Sequence, residues 1–315
     1  MSQRGELKVI LGSGNPSLGA AICHELNVKP CEREILQFSE GNTFVKVNEN
    51  VRERDCFIIQ GVHYPVNHNF MELLFWIDAL RLASAGRVTA VIPFFSYAKA
   101  DKKDEPRVSL RARVCADALE AAGVGRVLTM ELHSPQIQGF FKRPVDHINA
   151  RRTIVDYFKG KNLKDLVVAS ADVGYGKSAF KFGDALGVST VIGNKIRKDH
   201  SETASIWNVI GDVKGKTVLI VDDIVFTGGS LIAMAEAVIN LGAKEVYAAV
   251  THGVMTPGAA RKVEASKLKE LVITDSVEYE FETPSSKVKR LSVANLFSNA
   301  IRNIHEGQSL SSLFM

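Results

Sequence analysis

The sequence predicts an α/β protein of two domains, each with a mostly parallel sheet that is flanked by helices. Short apolar runs alternate with helical patterns along the whole chain, and this alternation is typical of βαβ units. A length of 315 residues suits two domains of ordinary size. The content of 46% hydrophobic and 23% charged residues indicates a soluble globular protein with enough apolar side chains for two cores.

The first half begins with a strand, a glycine turn and a helix. Lys8–Leu11 is a short apolar run, Gly12-Ser13-Gly14 forms the turn, and Pro16–Leu26 has helical periodicity. A second turn is predicted at Glu40-Gly41-Asn42. The remaining elements of this half are strands at 43–47, 55–60, 88–95 and 126–132 and helices at 69–84 and 109–122.

The second half repeats this rhythm and suggests an internal duplication. Its strands are predicted at 166–170, 190–192, 218–221, 246–251 and 271–274, and its helices at 177–186, 231–241 and 293–304. The junction between the halves is predicted within 144–152. We therefore expect an N-terminal domain at 1–148, a C-terminal domain at 149–304, and a tail at 305–315 that packs back on the N-terminal domain.

The stretch Thr217–Leu231 carries the strongest functional signal in the chain. An apolar run leads to two adjacent carboxylates, Asp222 and Asp223, and the turn Thr227-Gly228-Gly229-Ser230 leads into a helical pattern. The apolar positions of that pattern are Leu231, Ala235, Val238 and Leu241, and Gly242 ends it.

A corner of this kind is an anion site. Its glycines let backbone N–H groups turn toward a ligand, its hydroxyls add donors, and the helix dipole favours negative charge. A phosphate fits the turn, whereas the carboxylates fit neighbouring hydroxyls or a hydrated Mg²⁺, so the predicted ligand is ribose 5-phosphate. The corner is not a Walker A loop, because the acids precede the glycines and no Gly-Lys-Ser/Thr follows. The alternative is an ordinary strand–turn–helix with solvated acids.

Reactive side chains at the ends of three predicted strands indicate a metal site. His133, Asp172 and the pair Asp222/Asp223 each follow such a strand, and ligands of open parallel sheets collect at the carboxyl ends of the strands. Mg²⁺ prefers oxygen ligands and keeps several waters, so we expect few protein contacts to it. The alternatives are that His133 is a structural histidine and that Asp172 caps the following helix.

Two charged segments supply further candidates. Apolar strands flank Asn194–Ser205, which is predicted to be a β-ribbon or flap over the site, and Lys195 and Arg197 share one face of an extended strand. Pyrophosphoryl transfer needs positive charge and exclusion of water, and such a flap supplies both. The alternative is a solvated charged hairpin. The polar loop 96–107, which contains Lys99, is either solvated or faces a nucleotide.

Composition limits the choice of partners and compartment. The net charge of +4 gives no case for nucleic-acid binding. The four cysteines show no CxxC spacing and predict reduced, mostly buried thiols of a cytoplasmic protein. The N-terminus has no apolar signal region, and no run of about 18 apolar residues occurs, so we expect no export and no membrane insertion.

Several long segments are specific enough to indicate a family. They are SGNPSLG, ENVRERDCFIIQ, MELLFWIDALRLASAGRVTAVIPFFSYA, LTMELHSPQIQGFF, NVIGDVKGKTVLIVDD, TGGSL, THGV and IHEGQSLSSLF. Over essentially its whole length the chain resembles the ribose-phosphate pyrophosphokinases, whereas type I phosphoribosyltransferases share only the central loop. The resemblance implies two phosphoribosyltransferase-like (Rossmann-like) domains, transfer of the β,γ-pyrophosphoryl group of ATP to the 1-hydroxyl of ribose 5-phosphate, a need for Mg²⁺, and homodimers that build hexamers.

The resemblance also implies roles for individual residues. Lys195 looks like the catalytic lysine and Arg197 like its companion, and His133 and Asp172 look like metal- and ATP-side residues. The ribose 5-phosphate loop corresponds to Asp222, Asp223, Phe226, Thr227, Gly228, Gly229 and Ser230. The nucleotide side corresponds to Phe38, Glu40, Gly41, Asn42, Lys99, Ala100 and Asp101. A regulatory phosphate or ADP site corresponds to Arg52, Ser84, Ser309, Ser311 and Ser312.

Departures from the family pattern leave three interpretations open. They are Glu40-Gly41-Asn42 for Asp-Gly-Glu, Lys99-Ala100 for Arg-Gln, Phe226 for an acidic residue, and Gly174-Tyr175 for Gly-Gly. Lysine does not replace arginine where a planar fork is needed. The chain is then a working synthetase with altered nucleotide preference or regulation, a relative that pyrophosphorylates another ribose 5-phosphate ester such as ADP-ribose, or a non-catalytic subunit that regulates a true synthetase.

Overall fold

The structure, a computed structural model, describes residues 5–197, 205–278 and 285–313. The strands are β1 (Leu7–Leu11), β2 (Arg33–Gln37), β3 (Thr43–Val47), β4 (Asp55–Ile59), β5 (Arg87–Ile92), β6 (Arg126–Met130), β7 (Val145–Ile148), β8 (Leu166–Ser170), β9 (Thr190–Arg197), β10 (Ser205–Ile210), β11 (Thr217–Val225), β12 (Glu245–Gly253), β13 (Glu270–Thr274) and β14 (Val288–Leu291). The helices are α1 (Pro16–Leu26), α2 (Val66–Leu82), α3 (Arg111–Ala122), α4 (Arg151–Gly160), α5 (Gly176–Leu186), α6 (Gly229–Asn240), α7 (Ala259–Ala265) and α8 (Ala294–Glu306). This alternation of strands and helices confirms the predicted fold class.

Two compact units divide the chain. The first runs to Asn149 and also contains Ser276–Glu278 and the segment from Ser292 onward. The second contains Ala150–Asp275 and the chain that leads to Leu291. The sequence-based division differs from these units at its carboxyl end, because it places 149–304 in one domain whereas α8 lies in the first unit.

Helix α8 joins the first unit through buried apolar side chains and a few polar contacts. Phe297 and Ile301 are fully buried. Arg302 Nη2 donates to the Glu25 carbonyl of α1 at 3.1 Å. His305 Nδ1 lies 2.8 Å from a carboxylate oxygen of Asp55 at the start of β4. Helical periodicity predicts the helix but carries no information about which core buries it, which is why the boundary differs.

The first unit is built on a five-stranded parallel sheet in the order β1-β4-β5-β6-β7, and β2 and β3 form a separate antiparallel hairpin. Helix α2 supplies much of the core, because Leu73, Trp76, Ile77 and Leu80 recur on one face and are 0% exposed. Burying a side chain of this size contributes about 1.5–3 kcal/mol. The β2–β3 hairpin packs Ile35, Val45 and Val47 against the same core.

The second unit contains a seven-stranded sheet in the order β10-β9-β8-β11-β12-β13-β14. Among the described strands of this sheet, only β10 is antiparallel to its neighbour. The chain leaves β8 toward β9 and later returns to the other side of β8 with β11, so the strand order reverses between β8 and β11. Ligands of open α/β sheets bind beyond the carboxyl ends of the strands at such a switch point.

Helix α6 follows β11 and lies over the core of the second unit. Leu231, Ala235 and Val238 are buried as the periodicity predicts, and Met234 joins them. Leu241, the last apolar position of the predicted pattern, is 51% exposed. The helix ends at Asn240 and Leu241 is its C-cap, where the side chain leaves the apolar stripe.

Two further expectations concern cysteines and membrane spans. All four cysteines are free and buried, as predicted. Burial raises the pKa of the Cys56 thiol to about 12, which keeps it protonated and unreactive. Within the part of the chain that the structure describes, no helix has the length and apolar character needed to cross a membrane.

Candidate active site

The corner at the end of β11 lies at the switch point of the second sheet. The strand continues through both carboxylates to Val225 and pairs with β12, so the acids lie within the strand rather than after it, as the apolar run suggested. Successive residues of a strand face opposite sides, and Asp222 is half-buried whereas Asp223 is 7% exposed. The turn then brings Thr227, Gly229 and Ser230 to the surface.

The amino terminus of α6 is left open by the protein. Gly228 is its N-cap with φ of 76°, a left-handed conformation that favours glycine, and this residue has no side chain with which to cap the helix. Gly229 N donates to Thr227 Oγ1 at 3.3 Å, which holds the turn in shape. The first turn of a helix has orphan N–H donors and a partial positive charge, so this exposed end suits a phosphate.

A similar corner in the first unit is closed by the protein itself. There Ser13 follows β1, and its N–H donates to Glu72 Oε1 at 2.9 Å while its hydroxyl bonds the other oxygen of that carboxylate. Gly14 N donates to Gln60 Oε1 at 2.9 Å, and Asn15 Oδ1 caps α1 by accepting from Leu18 N at 3.3 Å. An internal carboxylate and two amide side chains thus occupy the donors that the corner before α6 leaves free.

Negative charge is concentrated beside the open corner. Burial, then the neighbouring carboxylates of Asp223 and Asp172, raise the pKa of Asp222 well above its usual range. The N–H of Asp223 donates to Asp222 Oδ1 at 2.9 Å and offsets part of that effect. Asp172 influences Asp222 because β8 and β11 are paired neighbours, with Ser170 opposite Val221. A bound cation would relieve this repulsion, so the oxygen donors present fit a hydrated Mg²⁺.

The two residues predicted to hold the metal belong to different units. Asp172 is exposed, and its Oδ1 accepts from Tyr175 N at 2.8 Å before α5 begins. His133 is also exposed, but β6 ends at Met130, so His133 does not sit directly at the strand end as predicted. No group of three or more His, Cys, Asp or Glu side chains suited to a metal occurs among the described residues. The pair His133 and Asp172 stays a prediction.

The predicted flap is a β-ribbon in its described part. β9 and β10 pair as an antiparallel hairpin in which Lys195 stands opposite Trp207 and Arg197 opposite Ser205. Residues 198–204, which complete the predicted flap, lie outside the described residues. At the base of the ribbon, a Cβ on Gly193 would lie 2.8 Å from the Ser170 carbonyl oxygen and 2.9 Å from Met234 Cε. The ribbon therefore starts in close contact with β8 and α6, beside the open corner.

The nucleotide-side residues of the first unit occupy two exposed segments. Phe38 is 47% exposed, and its ring stands 6.3 Å from that of Phe44. Its N–H donates to the Asn42 carbonyl and its carbonyl accepts from Gly41 N, both at 2.8 Å, so the turn that contains Glu40 is tightly closed. The second segment begins at the last residue of a short 3₁₀ turn, and its residues are Lys99, Ala100 and Asp101.

Ala100 differs from its neighbours in this second segment. It is 8% exposed, so its methyl group faces the protein, and its carbonyl accepts from Ala112 N at 3.2 Å. Lys99 and Asp101 are partly exposed. Of the three residues, Ala100 is therefore the one whose side chain is turned away from solvent.

The residues assigned to a regulatory site form two local pairs in the first unit. Arg52 Nη1 donates to Ser84 Oγ at 3.3 Å, and both are accessible. Ser309 Oγ bonds Ser311 Oγ at 2.9 Å in the segment after α8. The side chain of Ser312 lies outside the described atoms. These contacts are local, and the regulatory role of the set stays a prediction.

Sequence reasoning missed residues that hold the site without belonging to its motif. Thr256, after β12, donates to the Phe226 carbonyl from its N–H at 2.9 Å and from its hydroxyl at 3.2 Å, which fixes the entry to the turn. Glu72 and Gln60 close the corner in the first unit from positions about 60 and 46 residues away in sequence. The position of Thr256 after a predicted strand was a usable signal, whereas Glu72 in an apolar helix was not.

Comparisons with known proteins cover nearly the whole chain. A family model described as the N-terminal domain of ribose phosphate pyrophosphokinase matches residues 7–123, and one described as the phosphoribosyl synthetase-associated domain matches residues 174–315. The chain is 43% identical over 309 residues to the ribose-phosphate pyrophosphokinase of Caldanaerobacter subterraneus subsp. tengcongensis, covering 98% of each chain. It is 40% identical to that of Bacillus subtilis, covering 98% of this chain and 97% of the relative.

A solved structure agrees with these matches. The phosphoribosylpyrophosphate synthetase from Mycobacterium smegmatis superposes with a TM-score of 0.90 at 36% sequence identity. The superposition covers 96% of this chain and 99% of that one. The fold of that structure is therefore shared along nearly the whole of this chain.

Proposed function

The chain belongs to the ribose-phosphate pyrophosphokinase family, and from this premise we propose how its residues carry out the reaction. It is an enzyme that transfers the β,γ-pyrophosphoryl group of ATP to the 1-hydroxyl of ribose 5-phosphate, giving phosphoribosyl pyrophosphate and AMP. The observation that carries this assignment is the open corner before α6. It combines the donors of an open helix terminus with two adjacent carboxylates, one half-buried and one buried, at the switch point of a mostly parallel sheet.

The turn 227–230 binds the 5-phosphate of the sugar. The exposed hydroxyls of Thr227 and Ser230 and the amides of the first helical turn donate to the phosphate oxygens. Each charge-assisted hydrogen bond of this kind is worth about 1.5–3 kcal/mol. The phosphate stays outside the strand, so the sugar hydroxyls extend back toward Asp222 and Asp223, which accept hydrogen bonds from them.

The carboxylates of the second unit also offer oxygen ligands for a metal ion. In the second unit, Asp172 with Asp222 beside it would hold a hydrated Mg²⁺. In the first unit, His133 is proposed as a residue on the metal and nucleotide side. When bound, Mg²⁺ neutralises charge on the phosphate oxygens during transfer. The protein's own part is to aim the sugar hydroxyl, because phosphoryl transfer depends on positioning far more than on covalent help from side chains.

The β9–β10 ribbon supplies the remaining positive charge. Lys195 and Arg197 are two residues apart in β9, and residues with this spacing belong to the same face of a strand. Charge that spreads over the transferred phosphates is stabilised by preorganised cations in a water-poor site. The close contact of Gly193 with β8 and α6 keeps the start of this ribbon next to the sugar site.

The nucleotide is bound by the exposed segments of the first unit. The partly free ring of Phe38 offers a face for stacking on adenine, and Glu40 and Asn42 offer hydrogen bonds to its edge. Lys99 and Asp101 follow on the second segment. A homodimer that builds a hexamer, and a cytoplasmic location, are proposed together with this function, and analytical ultracentrifugation tests the assembly.

The direct test is an AMP-release assay. Purified protein with ATP, Mg²⁺ and ribose 5-phosphate should release AMP and phosphoribosyl pyrophosphate in equal amounts. Omission of ribose 5-phosphate is the control, and it should leave only background hydrolysis. Release of AMP with no acceptor, or with no phosphoribosyl pyrophosphate formed, would contradict the assignment.

A second acceptor is favoured by one feature of the corner. Phe226 is partly exposed directly before Thr227, and Thr256 fixes its backbone, so its ring borders the sugar site. An aromatic ring there suits a stacking group on a larger ribose 5-phosphate ester such as ADP-ribose. If AMP is released from ATP only when such an ester is the acceptor, this second function replaces the first. If no acceptor leads to AMP release, but the chain changes the rate of a partner synthetase, the chain is a regulatory subunit.

A further inference from the structure

The first turn of α2 contacts both segments that we assign to the nucleotide. Asn67 Oδ1 accepts a hydrogen bond from the Tyr97 hydroxyl, and Tyr97 lies in the 3₁₀ turn that ends at Lys99. His68 Nδ1 lies 3.4 Å from Thr43 Oγ1, and Thr43 directly follows the turn 38–42. Two neighbouring residues of one helix thus reach two segments that are more than 50 residues apart in sequence.

A buried carboxylate lies near the other nitrogen of the His68 ring. Its Nε2 lies 3.9 Å from Glu72 Oε2, one helical turn further along α2. Glu72 is 0% exposed and is fixed by Ser13 N at 2.9 Å and Trp76 Nε1 at 3.0 Å. A carboxylate next to Nε2 favours the tautomer that carries its proton there, which leaves Nδ1 to accept from the Thr43 hydroxyl.

The contact of His68 acts on the position of the turn rather than on its internal shape. The turn is closed by its own backbone hydrogen bonds between Phe38 and Asn42 and between Gly41 and Phe38, all independent of Thr43. The core contacts of the hairpin come from Ile35, Val45 and Val47. The contact of the Thr43 hydroxyl therefore connects the hairpin to α2 at the point where the packed strands end and the exposed turn begins. We call a side-chain contact of this kind a tie.

Tyr97 forms the matching tie for the second segment. Its ring stands edge-on to Phe70, with centroids 5.8 Å apart and an interplanar angle of 76°. Phe70 lies one turn after Asn67 on the same helix, so α2 holds both the ring and the hydroxyl of Tyr97. Lys99 is two residues further on, and its backbone follows the placement of Tyr97.

We propose that Asn67 and His68 are positioning residues for the nucleotide, in which His68 orients the turn 38–42 through Thr43 and Asn67 orients 99–101 through Tyr97. The inference rests on the proposed function, because it takes these two segments as the nucleotide site. Neither residue needs to touch ATP. Loss of either tie should weaken ATP binding while the sugar site, which lies in the second unit, keeps its affinity.

Steady-state kinetics of the full-length enzyme separate this role from a general structural one. His68→Ala and Thr43→Val should each raise KM for ATP about five-fold, as expected for the loss of one hydrogen bond. KM for ribose 5-phosphate, and kcat at saturating ATP, should stay within two-fold. The double variant should be no worse than either single variant, because both remove the same contact. His68→Gln, which keeps a polar group near Thr43, should restore part of the loss.

The second tie has its own conservative variant. Tyr97→Phe removes only the hydroxyl and keeps the ring against Phe70, so the chain should fold while KM for ATP rises by a similar factor. Asp78→Asn is the matched control on α2, since it breaks the exposed 2.6 Å ion pair with Arg81 away from both segments and should change nothing.

The outcomes distinguish this inference from the proposed function. A wild-type enzyme that is inactive with ATP and ribose 5-phosphate removes the proposed function and the inference with it. An active wild type whose variants change both KM values and kcat in proportion, or whose Thr43 and His68 effects add, or whose KM for ATP stays unchanged, removes the inference alone.

Discussion

At the scale of single residues, Glu72 accounts for the difference between two similar corners. Both follow a parallel strand and contain glycine and serine, yet the amide and hydroxyl of Ser13 bind the buried Glu72 carboxylate. The turn before α6 has no such internal acid among the described residues. The anion site of the second unit is open because the protein does not fill it, and this could not be predicted from the local motif.

The carboxylate of Asp222 carries a cost in stability that its function explains. Because its pKa is raised in the folded chain, the folded chain holds that proton more tightly than the unfolded chain. Wild-type stability therefore falls as pH rises above the ordinary range near 3.8. Without Mg²⁺ and nucleotide, Asp222→Asn should raise the thermal midpoint at pH 7.5 by roughly 2–4 °C, with the difference shrinking toward pH 4, and should lower turnover.

Asp212→Asn is the matched control for that measurement. Asp212 is exposed, and hydrogen bonds from Lys214 N and Lys216 lower the pKa of its carboxyl. Its removal should give no gain in stability at any pH. A loss of stability in Asp222→Asn at pH 7.5 would show that the carboxylate is stabilised by contacts stronger than the repulsion described here.

Lys195 gives the residue-scale prediction for the chemical step. Its removal takes away positive charge that matters most as the pyrophosphoryl group is transferred, so Lys195→Ala should lower kcat about 10²–10³-fold. The affinity for ribose 5-phosphate, measured by isothermal titration, should change little. Lys181→Ala, at an exposed position of α5, is the control and should be neutral. Near-full turnover in Lys195→Ala would remove the ribbon from the mechanism.

At the scale of secondary-structure elements, the sequence predicted the bounds of helices and strands best where glycine, proline or another turn residue marks their ends. Strand β8 and helix α1 have their predicted bounds, because apolar runs there meet clear breaks. Helix α4 was missed, since only Ile154, Val155 and Phe158 of it are buried and it begins within the segment expected to be a domain junction. Strand β14 was missed because Lys289 and Arg290 are exposed at a sheet edge.

The candidate site likewise contains residues that the sequence predicts and residues that it does not. Residues 222–230 are contiguous, so their chemistry shows in the sequence. The residues that hold the surrounding segments, such as Glu72 and His68, act across large sequence separations and have no motif. Their contacts depend on strand order and helix packing, which local patterns do not encode.

Gly193 gives the prediction for the β9–β10 ribbon as an element. A methyl group there would meet the Ser170 carbonyl at 2.8 Å and Met234 at 2.9 Å, so the ribbon must move away from β8. Gly193→Ala should destabilise the chain by about 1–3 kcal/mol in urea unfolding and should lower kcat more than it changes ATP binding. Gly160→Ala is the control, because nothing lies within 4 Å of its added Cβ. Equal stability and rate in both variants would contradict this packing.

At the scale of the whole molecule, the first unit is completed by α8. The charge cluster that anchors this helix is centred on Asp55, which is 2% exposed and accepts from Arg87 Nε at 2.7 Å and Nη2 at 2.5 Å. Arg87 Nη2 also donates to the Ile304 carbonyl at 3.2 Å, and His305 lies on the same carboxylate. One buried acid thus connects β4, β5 and the end of α8.

Removal of Arg87 should therefore destabilise the whole first unit. Arg87→Met leaves the buried carboxylate without its main partner, and breaking a buried pair in this way costs about 3–5 kcal/mol. Urea unfolding followed by tryptophan fluorescence reports the loss, since Trp76 is in this core. Arg81→Met, in an exposed pair with Asp78, should shift the midpoint very little. Similar small shifts in both variants would show that α8 docks without this cluster.

The return of α8 to the first unit has a consequence for synthesis on the ribosome. The second unit is inserted between parts of the first, so the N-terminal sheet emerges from the exit tunnel long before the helix that covers it. The usual order, in which the leading domain matures first, is reversed for this topology. Until α8 has been synthesised, the nascent first unit lacks the buried side chains of Phe297 and Ile301, so its core stays incomplete during that interval.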